Sequence, residues 1–319
     1  MRISLFGGGT DLPAYSSKFE GRVISFTIDK YISLVLNKKF ETGFRLSYSQ
    51  TENPTSVSKI KHKIFREVLS EFEISDGLEI VSIADIPSKG SGLGSSSSFT
   101  VSLINVLVTH LNLNFSKEQI AELAFRIEYR INNGAIGRQD QYAAAVGGIN
   151  SIIFHKDSSV QIDPIKISRR KLISIQSSML LFYTNRTRKA STLLTKQAEL
   201  TSTSKDTQYN LHKLKELCQM GLASMENGNL EEVGSFLGDS WELKKSIQNG
   251  ITNNSIEKKY TKAINAGAWG GKLLGAGGGG FFLFLAPTTA HEKIVSELSG
   301  WRRVEFNLDF SGTSSLEIG

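Results

Sequence analysis

Residues 87–98 read Pro87-Ser88-Lys89-Gly90-Ser91-Gly92-Leu93-Gly94-Ser95-Ser96-Ser97-Ser98, and an apolar stretch follows without a break. Glycines at 90, 92 and 94 let the backbone turn sharply and approach a ligand. Successive N–H groups in such a loop form a concavity for anions, and a helix start adds positive potential. Phosphate is the natural ligand. The loop lacks the GK[ST] of a Walker A motif and the spacing of a dinucleotide fingerprint, and no βαβ unit surrounds it. The plain alternative is a flexible Gly/Ser linker. The helix that follows at once argues against that.

Downstream, Phe99, Val101, Leu103, Ile104, Val106, Leu107 and Leu111 predict a buried helix over 95–111. A second helix is expected over 116–132, where Ser116 can cap and Ile120, Leu123, Ala124 and Ile127 recur at helical spacing. Upstream, the β-rich runs 3–6, 23–28, 32–37, 44–48 and 78–83 read as strands, with a helix near 57–72. Later, 149–154, 281–285 and 303–308 read as strands. The segments 189–200, 209–225, 230–247, 255–266 and 289–298 carry helical periodicity. Strands and helices mix without regular alternation, so the expected class is α+β rather than a doubly wound sheet. A length of 319 residues suits two domains, placed at 1–170 and 171–319.

Two more glycine-rich segments flank this centre. Phe6-Gly7-Gly8-Gly9-Thr10-Asp11-Leu12 follows the first strand. Asp11 on that turn can accept hydroxyl hydrogen bonds, which suits a polyol as well as it suits a plain solvent-facing turn. Leu274-Gly275-Ala276-Gly277-Gly278-Gly279-Gly280-Phe281 lies between apolar runs; it reads as close backbone approach or as a tight hairpin. Glu128 falls near the end of one expected helix. Asp140 falls at the start of the next, within Gly137-Arg138-Gln139-Asp140-Gln141. Both carboxylates flank a small-residue segment that permits close packing or a ligand cleft; the plain alternative is a solvated charged surface.

Composition narrows the class. The net charge is +6 and the densest basic run is Lys166–Lys171 (KISRRK), read as a solvated loop. There is no basic stripe or aromatic platform for nucleic acid. A single cysteine, Cys218, excludes an internal disulfide and reads as a small buried hydrophobe. No long apolar run suggests a membrane span, and the expected setting is cytoplasmic.

Taken in order, GGGTDL, PSKGSGLGSSSS and LLGAGGGGFF resemble the GHMP kinase superfamily across nearly the whole chain. The opening RISLFGGGTDLPAY with GAIGRQDQYAAAVGG looks nearest to the bacterial D-glycero-D-manno-heptose 7-phosphate kinases. The resemblance implies a ribosomal-protein-like N-terminal domain, a ferredoxin-like C-terminal domain and an active site between them. It implies ATP and Mg²⁺, with Lys89, Gly90, Ser91, Gly92, Leu93, Gly94, Ser95, Ser96 and Ser97 around the phosphates, and Gly277 and Gly278 in support. Ser95 and Glu128 match its magnesium ligands, Asp140 its catalytic aspartate, and Arg2 a basic residue ahead of the first motif. Gly8, Gly9, Thr10 and Asp11 would meet the sugar; Arg186 and Arg188 are candidates for a phosphate already on it. The implied partner is a small sugar or sugar phosphate, with no nucleic acid or membrane. Oligomeric state is left open, a homodimer included. Another sugar kinase of the same superfamily, or a non-catalytic sugar and ATP sensor, are the competing readings.

Overall fold

The structure is a computed structural model of the chain; it describes all residues except 76, 88–89, 187–189 and 318–319, and the side chains of 190 and 191. The chain opens with β1 (Arg2–Phe6), α1 (Pro13–Phe19), β2 (Gly21–Ile28), β3 (Ile32–Lys38), β4 (Phe44–Ser47), β5 (Thr51–Glu52), α2 (Lys63–Glu71) and β6 (Leu78–Ala84). Next come α3 (Ser95–His110), α4 (Lys117–Ile131), α5 (Gln139–Val146), β7 (Ile149–Phe154) and β8 (Val160–Pro164). The remainder holds α6 (Arg169–Ser177), β9 (Met179–Tyr183), α7 (Ala190–Thr203), α8 (Lys205–Asn227), α9 (Leu230–Ile247) and α10 (Asn254–Asn265). It ends with β10 (Gly270–Leu273), β11 (Phe281–Leu285), α11 (His291–Glu297), β12 (Arg302–Arg303) and β13 (Leu308–Asp309).

The described residues form three sheets, ordered β1-β2-β7-β8, β3-β6-β4-β5 and β10-β11-β9-β12. β7 is buried at every residue, and its sequence INSIIF runs apolar without strict alternation because both faces are covered. β3 alternates toward exposure at Ser33, Val35 and Asn37, as a strand with one wet face does. In α3, eleven of 16 residues are buried, so the helix runs through the core rather than along it. α4 begins with a reciprocal capping box between Ser116 and Gln119.

The α+β expectation holds, with local corrections. The helix expected over 57–72 is a 3₁₀ turn, Val57–Lys59, followed by α2. Ile60 is extended at φ −67°, ψ 125°, and His62 accepts from the Phe65 N–H at 3.4 Å, starting a new helix. The strand expected over 303–308 is two short pairings: β12 joins β9, while β13 joins β2. The chain thus leaves the first sheet after β8, enters the third at β9 and returns at β13. Asn307 anchors the return: its N–H and Nδ2 donate to Asp29 at 2.9 and 2.8 Å, and it accepts from Gln176 Nε2 at 2.9 Å. The basic run ends inside α6, whose N-cap Ser168 accepts from the Lys171 N–H at 3.4 Å; Arg169 and Arg170 stay exposed. Cys218 is fully buried, and burial pushes its thiol up to about 12. No described helix is long and apolar enough to cross a membrane.

Candidate active site

Three glycine-rich loops converge here, and the central one is set by backbone conformation. Gly90, Gly92 and Gly94 take φ of 66°, 80° and 72°, a region that side chains with a Cβ avoid. Gly94 is the N-cap of α3, and no side chain among the described residues caps that helix. The N–H groups of the first turn, at Ser95, Ser96 and Ser97, therefore have no helical carbonyl to meet. This open mouth is a cradle for an anion.

The loop between β10 and β11 packs directly on the cradle. A Cβ at Gly275 would lie 2.5 Å from the Gly92 Cα, and one at Gly280 would lie 2.4 Å from the Ser91 carbonyl. The Phe281 N–H donates to that carbonyl at 2.9 Å. Gly277 and Gly278, expected beside the phosphates, turn away onto Ile251: the Gly278 N–H donates to its carbonyl at 2.8 Å.

In the first loop, Thr10 proves to be internal. It is fully buried, and its hydroxyl donates to the carbonyls of Gly7 (2.8 Å) and Arg22 (2.9 Å), so it braces the turn instead of meeting a sugar. Gly8 and Gly9 are half-buried. Asp11 accepts from the Gly9 N–H at 2.9 Å and from the Gln139 N–H at 3.3 Å, tying the loop to the start of α5. Gly137 admits this approach, since a Cβ there would lie 1.9 Å from Asp11 Oδ2. Burial, then the charge of Asp140, raises the Asp11 carboxyl above its usual range.

Arg2 joins these parts. Its Nε and Nη2 donate to Asp140 Oδ1 at 2.7 and 2.6 Å, while its Nη1 donates to the Gly92 carbonyl at 2.7 Å. The Arg2 side chain is 3% exposed and that of Asp140 26%, so the carboxylate is the part that meets solvent. Asp140 and Arg2, far apart in sequence, thus form a single unit against the cradle.

Glu128 is buried in α4 and is held by Ser97 Oγ (2.7 Å), Thr100 Oγ1 (2.7 Å) and Gln141 Nε2, with Ser96 Oγ more loosely at 3.4 Å. Burial raises its carboxyl, and these donors pull it back down. Sequence reasoning paired Glu128 with Ser95. The structure turns Ser95 inward, to Ser91 Oγ at 2.7 Å and the Met1 sulfur at 3.7 Å. Ser96 and Ser97 are the serines on the Glu128 side, and of the two Ser96 is exposed at the mouth. Neighbours on a helix point about 100° apart, so one residue changes which way a hydroxyl faces. Glu128 and Ser96 are hard oxygen donors suited to magnesium accompanied by phosphate oxygens and water. No cluster of three His, Cys, Asp or Glu side chains suited to a metal occurs among the described residues.

Lys89 and Arg188 lie outside the described residues. Arg186 is exposed, and its carbonyl accepts from the Gly280 N–H at 2.7 Å, beside the third loop. Several residues went unread in the sequence. Thr100 and Gln141 sit within otherwise ordinary helices. Ser4 and Gln139 are buried, and Ser4 Oγ and Gln139 Oε1 have no partner among the described residues. They flank Gly8: a Cβ there would lie 3.2 Å from Ser4 Oγ and 3.7 Å from Gln139 Nε2. Helical and strand periodicity carries no signal for such orphans.

Known proteins resemble this chain in sequence and fold. The family models described as GHMP kinases N terminal domain and GHMP kinases C terminal match residues 58–148 and 221–301. A D-glycero-alpha-D-manno-heptose 7-phosphate kinase of Campylobacter jejuni is 32% identical, over 93% of this chain and 91% of that protein. A galactokinase of Pyrococcus furiosus is 25% identical, over 88% and 85%. The crystal structure of a D-glycero-D-manno-heptose 1-phosphate kinase from Bacteroides thetaiotaomicron superposes with a TM-score of 0.79 at 24% identity, covering 98% of this chain and 95% of the other. At that identity the superposition speaks to the fold alone.

Proposed function

The chain belongs to the GHMP kinases and is an ATP-dependent sugar kinase, and from that premise we propose that it phosphorylates the anomeric hydroxyl of D-glycero-D-manno-heptose 7-phosphate, giving the 1,7-bisphosphate. The observation that carries the chemistry is the Arg2–Asp140 unit bonded to the Gly92 carbonyl, which sets a proton acceptor beside the anion cradle. Ser4 Oγ and Gln139 Oε1, without partners among the described residues, together with Asp11 favour a polyhydroxy acceptor, since buried polar atoms need partners. An isoprenoid alcohol would leave them unmatched. The division into 1–170 and 171–319 belongs to the same proposal, with β13 returning to the first domain.

Phosphoryl transfer asks a protein mainly for positioning and charge stabilisation. The open N–H groups of Ser95, Ser96 and Ser97 hold the nucleotide's phosphates at the helix mouth. Ser96 and Glu128 would hold the magnesium that accompanies ATP, which would supply neutralisation of phosphate charge. Asp140 accepts the proton of the acceptor hydroxyl as its oxygen bonds the γ-phosphorus and the bond to the ADP oxygen breaks. Arg2 keeps the Asp140 carboxylate in place and offsets the developing charge.

An acceptor panel in a coupled ADP-release assay tests the reading. Heptose 7-phosphate is expected to exceed galactose, fucose and mevalonate by about tenfold or more in kcat/KM. A preference for a non-phosphorylated sugar would move the assignment to another sugar kinase, and binding without ADP release would favour the sensor. If Arg186 reads the 7-phosphate, Arg186→Ala raises the acceptor KM by about tenfold with kcat nearly unchanged. An unchanged KM removes Arg186 from that pocket.

A further inference from the structure

Lys244 lies in the last turn of α9, and its ammonium donates to the carbonyls of Leu273, at 2.9 Å, and Gly275. Gly275 is the residue that abuts Gly92, whose carbonyl takes a hydrogen bond from Arg2. A second lysine, Lys272 on β10, is buried and donates to the Leu5 carbonyl at 3.1 Å, on the strand entering the first loop. Three cations therefore brace this region: Arg2 holds the central loop, Lys244 the third, and Lys272 the strand that enters the first.

Their charges are poorly matched. Asp140 pairs with Arg2. No salt bridge among the described residues reaches Lys244 or Lys272, whereas the adjacent Lys245 takes both Glu242 (2.7 Å) and Glu257 (2.8 Å). Burial, then the charges of Lys272 and Arg2, pushes Lys244 well below the ordinary lysine range; burial lowers Lys272 to about 8. A buried ion without a counter-ion is costly, so this seam is stabilised by an arriving anion. An ammonium carries three N–H donors, and the two carbonyls use two of them.

We propose that Lys244 is a charge-stabilising residue of the phosphoryl transfer, its third N–H directed to an oxygen of the transferring phosphoryl group, with Lys272 adding to the positive field behind it. The inference rests on the kinase reading above. No bond to Lys244 forms or breaks. It offsets charge that builds on the phosphoryl oxygens, the kind of fixed donor whose loss costs about 10²- to 10³-fold in kcat.

Two neutral replacements test it. Lys244→Gln keeps a donor for the loop carbonyls and Lys244→Met keeps none; Lys244→Arg restores charge, and Lys245→Met is the control. Each is assayed for kcat and KM, for melting temperature, and for binding of inorganic tripolyphosphate by calorimetry. A neutral variant that folds is expected to lose about 100-fold in kcat and bind tripolyphosphate about tenfold more weakly, with Arg recovering much of both. If it keeps both within about threefold of a wild type that phosphorylates sugar, Lys244 is a loop clamp only and the proposal falls. If the wild type phosphorylates no sugar, the kinase reading fails by itself. Tripolyphosphate binding then decides whether Lys244 contacts phosphate: weakened in the neutral variants, that contact stands; unchanged, it falls.

Discussion

Asp140→Asn is expected to lower kcat by about 10²- to 10⁴-fold while leaving the affinity for a non-hydrolysable ATP analogue within about threefold. The geometry separates the two effects. Both Arg2 contacts run to a single oxygen, Oδ1, and an amide oxygen at that position still accepts them. Arg2 therefore stays in place, with its hold on the Gly92 carbonyl, and the cradle keeps its shape. What is lost is the negative charge and the ability to take a proton. Coupled ADP release measures the first quantity and calorimetry the second. Turnover near the wild-type rate would remove Asp140 from the proton-accepting role.

Gly92→Ala is expected to damage both the fold and the cradle. At φ +80° an L side chain costs about 1–2 kcal/mol in strain alone. The new Cβ would also lie 2.4 Å from the Leu274 carbonyl oxygen and 2.8 Å from its carbon, both backbone, so the two loops must part. We expect a total loss of about 3 kcal/mol in denaturant unfolding and a fall of about tenfold or more in nucleotide affinity. Gly300→Ala isolates the strain: its φ is +90° but a Cβ there meets nothing within 4 Å. That variant should lose about 1 kcal/mol and no nucleotide affinity. Equal losses in the two variants would mean that contact between the loops contributes nothing.

The loops and the helix behind the central one were legible because their signals are local. Glycines at 90, 92 and 94, followed at once by an apolar run at helical period, describe a turn and a buried helix in any context. The same holds for β7 and β11, whose runs INSIIF and FFLFL match the observed strands residue for residue. What stayed hidden depends on partners distant in sequence. β12 and β13 are two residues each; β12 adds to the edge of β9, and β13 pairs with the end of β2 that extends beyond β7. That Ser96 and Ser97, and not Ser95, face Glu128 turns on the phase of α3, which a run of four serines does not reveal. Thr10 looked like a ligand-facing hydroxyl until Arg22, twelve residues on, used it. Lys244 and Lys245 are alike as letters. One finds two carboxylates, the other two carbonyls, and the packing of α9 on β10 decides which.

The return of the chain at β13 brings the segment after the third sheet back onto the first. One covalent link runs through α6, the other through residues 304–307, and Gln176 and Asn307 bind them side by side. Two adjacent crossings place both covalent links at one seam, and one buried core continues from β1 and β2 through α8 to β11, so the parts of the chain are joined by packing as well as by backbone.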